Sequence, residues 1–132
     1  MRYAVRRLDE VPTVPGSDLR WHPLQHHFRL SAFGANVFVA DEAGDELIGE
    51  HDETSSGQEE LYIVLRGAVR FSLDAEEHTV EAVGVVAVTD PAVRRSAAAI
   101  EPGASLLALG AEACAEFHST WRSTWFADVP QT

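Results

Sequence analysis

The residues best suited to chemistry fall in one short stretch, Gly49 to Gly67, which reads GEHDETSSGQEELYIVLRG. His51 and Glu53 stand two apart, so on a strand their side chains point the same way. Glu60, Tyr62, Val64 and Arg66 share one face of the next strand by the same period, and Leu61, Ile63 and Leu65 share the other. Histidine and carboxylates brought together can do two kinds of work. They can hold a small molecule by hydrogen bonds. They can also give one nitrogen and two oxygens to a divalent metal, with positions left open for water or substrate. His51, Glu53 and Glu60 are the metal-ligand candidates on that second reading, with Fe, Mn, Ni or Zn as the ion and oxygenase, isomerase or hydrolase chemistry as the outcome. Each residue also has a plainer role: His51 as a hydrogen-bonded core histidine, Glu53 as a solvated carboxylate at a loop edge, Tyr62 as core packing. Glu60 is the least easily explained that way, because an acid on a strand wall needs a partner.

Short strands and frequent turns must position these groups. Glu60 to Arg66 is the clearest strand, and Gly67 ends it. Ala68 to Leu73 and His78 to Val83 read as a hairpin around Asp74-Ala75-Glu76-Glu77. Strands are also expected over His26 to Phe33, Asn36 to Ala40, Glu46 to Glu53, Val85 to Thr89, Val93 to Ile100 and Ser105 to Leu109. Two prolines and a glycine make Val11 to Asp18 an irregular loop. The tail from Ala111 to Phe126 suits a short helix with Trp121 and Trp125 on one face. Many short strands at turn-punctuated spacing point to an all-β sandwich or closed barrel.

The chain of 132 residues fits one domain with a core of its own. Ten Lys and Arg against 21 Asp and Glu give a net charge of −11, which argues against nucleic acid and anionic membranes as partners. No stretch approaches a membrane helix, and the N-terminus lacks the apolar run of a signal peptide. A single cysteine, Cys114, excludes an internal disulfide and fits the cytoplasm. Cys114 has no basic neighbour and reads as a packing residue. His22 and His26, four apart, could share a helix face and bind zinc, but the stretch reads better as the start of a strand, with His26 and His27 on opposite sides. His78 and His118 read as surface residues.

The run Glu59 to Gly67, with His51 before it, resembles the first motif of the cupin superfamily. That motif has two histidines one residue apart, a glutamate, then six residues and a glycine. His51 stands at the first histidine and Glu60 at the glutamate; Glu53 replaces the second histidine. Gly84 and the five residues Val85 to Thr89 are similar to the start of the second motif, where Asp90, Ala92 and Arg95 replace the proline, glycine and histidine. The resemblance covers about residues 35 to 110. It implies a cupin-like double-stranded β-helix (jelly-roll) barrel, residues 1–132 as one domain, N-terminal strands over 1–34 and a tail over 111–132.

The resemblance also implies a pocket lined by His51, Glu60, Tyr62 and Arg95. In it Arg95 would pair with Glu60 or Glu53 and replace the charge of a metal, so no cofactor is favoured and a small molecule is the expected ligand. Arg94 and Arg95 could instead face an anionic ligand. Cupins often dimerise through an apolar outer face, and Leu61, Ile63 and Leu65 would supply one, so a homodimer is expected; cover by the C-terminal segment is the alternative.

Overall fold

A computed structural model of the chain describes residues 2–113, 117 and 123–132. Among the described residues, nine strands form two antiparallel sheets. The larger has the order β1-β2-β9-β4-β7, from β1 (Arg20–Pro23), β2 (Gly34–Val39), β9 (Ser105–Glu112), β4 (Gln58–Arg66) and β7 (Val85–Val88). The smaller has the order β3-β8-β5-β6, from β3 (Glu46–His51), β8 (Arg95–Ala99), β5 (Ala68–Leu73) and β6 (Glu76–Glu81). This is the expected jelly-roll. Its two sheets stay separately hydrogen-bonded among the described residues and do not close into one continuous barrel.

The inner faces meet in an apolar core. Tyr62 and Val64 of β4, Leu106 and Ala108 of β9, and Val86 and Val88 of β7 are buried against Val69 and Phe71 of β5, Ala97 and Ala99 of β8, and Leu47 and Ile48 of β3. Tyr62 packs on Phe71 with ring centroids 5.7 Å apart. The β5–β6 hairpin turns at Asp74 and Ala75, both at positive φ, as the wide-angle twist of a two-residue hairpin loop requires.

Three expectations need correction. His26 to Phe33 is not a strand. Its first part belongs to the short helix α1 (Leu24–Phe28), which follows Pro23 and ends at Arg29 with φ 57°. Pro23 is pre-set for the approach to a helix, and Gln25 Oε1 accepts a hydrogen bond from Ala35 N at 2.9 Å, tying α1 to β2. The described residues before β2 therefore supply a 3-10 turn (Leu8–Glu10), one strand and one α-helix rather than strands alone.

Arg66 does not share the inward face with Tyr62 and Val64. The β4–β9 register shifts between Val64 and Arg66. This bulge at Leu65 turns Arg66 outward beside Ser105, which keeps its charge out of the core.

The tail is described in part: Ser123–Phe126 is a 3-10 turn with Trp125 exposed, while Cys114, His118 and Trp121 lie outside the described residues. Among the described residues no helix is long and apolar enough to cross a membrane.

The outer face of the larger sheet is ordered in rows, since residues opposite each other across strands share a face. Ala35, Leu109, Leu61 and Ala87 make one row; Val37, Leu107, Ile63 and Val85 make the next. The N-terminal arm lies against the β1 side, where Val11 is buried and its carbonyl accepts from His22 Nδ1 at 2.8 Å. Leu65, Val85 and Ala87, at the β4–β7 side, are exposed.

Candidate functional site

Three strands and the loop after β3 bring the chemical groups together. His51 closes β3 opposite Arg95 of β8 in the smaller sheet. Glu60 and Tyr62 face them from β4 of the larger sheet. Arg95 is 1% exposed, and each nitrogen of its guanidinium is hydrogen-bonded. Nη1 donates to Glu60 Oε1 at 2.7 Å, Nε to the Val93 carbonyl at 3.1 Å, and Nη2 to the carbonyls of Asp90, Pro91 and Val93 at 3.0–3.3 Å. One side chain thus crosses between the sheets and also gathers the loop from Asp90 to Val93. Tyr62 adds its hydroxyl to the same Glu60 Oε1 at 2.7 Å.

Electrostatics follow from this packing. Burial first, and then the bond to the Glu60 carboxylate, push the Tyr62 phenol well above its ordinary value. Burial alone would lower the Arg95 guanidinium, but its bond to Glu60 and the neighbouring phenol outweigh that and leave it raised. Both groups stay protonated as donors to Glu60.

The other half of the site is more open. His51 Nδ1 donates to the Gly49 carbonyl at 2.7 Å, and Nε2 lies 3.0 Å from Glu53 Oε1 and 3.8 Å from Glu60 Oε1. A neutral imidazole has one N–H. With Nδ1–H on a carbonyl, Nε2 meets the carboxylates either with a second proton or through a bound cation. Glu53 Oε2 accepts from Ser56 Oγ, and Glu53 N donates to the Pro91 carbonyl at 2.8 Å. Glu53 is therefore fixed by its neighbours rather than solvated at a loop edge. Ligand atoms of His51, Glu53 and Glu60 lie within 4.8 Å of one another. The donor set fits a divalent cation, although Glu60 Oε1 is already committed to Arg95 and Tyr62.

Exposure falls steadily across the group. The side chains of His51, Glu53 and Glu60 are 38%, 18% and 12% exposed, against almost nothing for Arg95. Space beside Glu60 comes from its strand neighbours: the row Gly34, Gly110, Glu60, Val88 puts two glycines on one side. A Cβ at Gly110 would stand 3.5 Å from Glu60 Cγ and 2.7 Å from Gln58 Oε1.

The remaining sequence candidates are elsewhere. Arg94 is exposed and faces Glu50 and Asp52 at 3.5 and 3.7 Å, whereas Arg95 is turned inward to Glu60. Hydrogen bonds from Thr54, the hydroxyl first, hold the exposed Asp52 below its ordinary value. His22 is buried on β1 and His26 is exposed on α1; among the described residues they join no group of three metal-ligating side chains. His78 is at the surface near Glu76. Ser56 and the carbonyls of Gly49 and the Asp90–Val93 loop escaped the sequence reading, because backbone acceptors and a loop serine carry no distinguishing residue type.

No protein-family model matches the chain, and no curated protein does. Solved structures do. A cupin protein from Bacteroides fragilis superposes with a TM-score of 0.66 over 92% of this chain and 95% of its own, at 18% identity. The chain has a cupin fold. A cupin domain from Schizosaccharomyces pombe is also similar, with a TM-score of 0.64 at 20% identity over 80% of this chain and 72% of that one. So is a sugar phosphate isomerase of the cupin superfamily from Silicibacter pomeroyi, with a TM-score of 0.58 at 21% identity over 70% of this chain and 58% of its own. At these identities the likeness carries the fold alone. Its cupin-fold neighbours are of mixed kinds, so function rests on the residues of this chain.

Proposed function

We propose that this cupin-fold protein binds a small molecule at the rim made by His51, Glu53 and Glu60, with Arg95 supplying the positive charge that a metal would bring. The observation that carries this reading is the 2.7 Å bond from Arg95 Nη1 to Glu60 Oε1. A carboxylate withdrawn from water needs a cation or several donors; Glu60 has a guanidinium and a phenol. Tyr62 and Arg95 are then the inner wall that fixes Glu60. The groups within a ligand's reach are mostly acceptors, so they suit a ligand rich in O–H or N–H donors, such as a polyol or an amine.

A thermal-shift panel of acids, sugars, amines and nucleotides tests this. The expected result is stabilisation by a donor-rich class in the native protein and not in His51→Ala. A flat response across the panel would count against small-molecule binding and favour a structural or protein-interaction role.

A second reading has its own observation, the convergence of His51, Glu53 and Glu60 within 4.8 Å. On it these three hold a divalent ion, and the ion when bound polarises a substrate oxygen as a Lewis acid. Gly49 fixes the His51 ring through Nδ1, as an outer-shell partner of a metal-ligating histidine does, and Arg95 orients Glu60.

As partner we propose a second copy of the chain, packed through the outer face at the half-buried Leu61 and Ile63 and the exposed Leu65, Val85 and Ala87. Apolar surface of this extent on a central strand calls for cover. The single cysteine supports a place in the reducing cytoplasm.

A further inference from the structure

We propose that a second site, separate from the His51–Glu60 rim, binds a small oxyanion that carries an O–H group, hydrogen phosphate being the simplest. The site is the cleft of about 490 Å³ between the N-terminal arm and the outer face of the larger sheet, lined by Arg7, Asp9, Arg20, His22, Arg66 and Ser105 among others.

The strands assemble it in register. Arg20 of β1 lies opposite Val39 of β2, Val39 opposite Ser105 of β9, and Ser105 opposite Arg66 of β4. The result is a cross-strand row with a guanidinium at each end and a hydroxyl between them. It exists because the bulge at Leu65 sends Arg66 outward; without it the strand's alternation would aim Arg66 at the core. Glu60 and Arg66 stand six residues apart on β4, about 20 Å along a strand, so the two sites do not overlap.

The floor of the cleft is polar and buried. The chain buries three polar or charged side chains among the described residues: His22, Ser105 and Arg95, at 7%, 8% and 1% exposure. Arg95 serves Glu60; the other two line this cleft. Buried polar groups ordinarily have partners. His22 Nδ1 has the Val11 carbonyl, but His22 Nε2 and Ser105 Oγ have no protein partner among the described residues. No buried polar atom there is sealed off unsatisfied, so both atoms reach solvent, and both residues line the cleft.

The charge points to an anion. The chain carries −11 overall, and its ten cationic side chains are all arginine; three of them converge here. Arg7 pairs with Asp9 at 2.9 Å and Arg20 with Asp41 at 2.8 Å, which leaves each guanidinium with N–H donors to spare. Arg66 has no acidic partner within 4.0 Å among the described residues. Guanidinium forks suit phosphate and carboxylate oxygens. The O–H requirement comes from the acceptors in the same cleft: His22, with its proton on Nδ1, offers a lone pair at Nε2, and Asp9 adds a carboxylate. A ligand with both O⁻ and O–H satisfies both sets.

Inorganic phosphate, titrated calorimetrically into the full chain at fixed ionic strength, tests the proposal, with sulfate as the anion that lacks the O–H. Expected are saturable phosphate binding, sulfate weaker by about tenfold, and a loss of about tenfold in Arg66→Gln, the effect of one charge-assisted hydrogen bond. Ser105→Ala should also weaken phosphate, and Arg70→Gln, exposed on the other sheet, should not. Lack of saturation, or equal weakening by Arg66→Gln and Arg70→Gln, would overturn the site. Equal affinity for sulfate would overturn the assignment of an O–H-bearing ligand.

Discussion

Arg95 and Glu60 join the two sheets by a 2.7 Å bond between a fully buried guanidinium and a nearly buried carboxylate. They come from opposite sheets and from opposite ends of the sequence pattern that suggested a cupin: Glu60 keeps the first motif's acid, and Arg95 stands where the second motif's histidine belongs. On the reading proposed above, this exchanges a metal ligand for a fixed cation. It also changes what the neighbouring loop needs, because Arg95 binds the carbonyls of Asp90, Pro91 and Val93 as well.

Arg95→Ala should therefore be severe. It leaves Glu60 without its cation, the Val93 carbonyl without its donor and the Asp90 and Pro91 carbonyls with one backbone donor each, and removal of one partner of a buried pair costs about 3–5 kcal/mol. Arg94→Ala, next in sequence but exposed, should change stability by no more than about 0.5 kcal/mol. Denaturant unfolding of the two variants measures both. Similar, small effects would show that the Arg95–Glu60 bond contributes little.

Tyr62 gives a prediction in alkaline solution. Its folded pKa is raised above the ordinary value of 10.0, by burial and by Glu60. The folded state then keeps a proton that the unfolded state releases, so the contribution is present below about pH 10 and is lost as pH rises beyond it, at about 1.4 kcal/mol per pH unit. In Tyr3→Phe, Tyr62 is the sole tyrosine. Its phenolate absorbance should rise only together with loss of the folded circular dichroism signal. A phenolate that forms while the protein remains folded would contradict the buried donor role.

The outer rows predict an oligomeric state. Sedimentation should give twice the chain mass of 14.4 kDa, and Leu65→Lys should return the protein to a single chain without unfolding it. A native protein that sediments as one chain would remove the homodimer.

Much of this fold was legible because strand alternation is a strong signal. Leu61, Ile63 and Leu65 alternate with Tyr62 and Val64, and the first hairpin strand, Ala68–Leu73, lies where alternation puts it; the second was expected over His78 to Val83 and runs instead over Glu76–Glu81, because the turn takes only Asp74 and Ala75. Arg66 was misplaced because a bulge adds one residue to a strand without altering composition; only the oddity of a charge at an inward position hinted at it. The helix at Leu24–Phe28 was missed because five residues are too few for periodicity to show, and its support comes from Gln25 reaching Ala35. At the site, His51, Glu53, Glu60 and Tyr62 were named from residue type and strand spacing, and Arg95 from the resemblance to the second cupin motif. What spacing could not give was which acid Arg95 would choose, or that Gly49 and Ser56 would hold His51 and Glu53 in place. His22 and Ser105 lie on β1 and β9, far apart in sequence, and only the sheet order, with β2 between them, brings both to one cleft.

Whether Arg95 stands in for a metal is tested most directly by elemental analysis of protein purified without a metal-affinity tag. The account predicts transition-metal content far below one atom per chain, unchanged in His51→Ala. A stoichiometric metal in the native protein that disappears in His51→Ala would contradict it and establish the His51–Glu53–Glu60 centre instead.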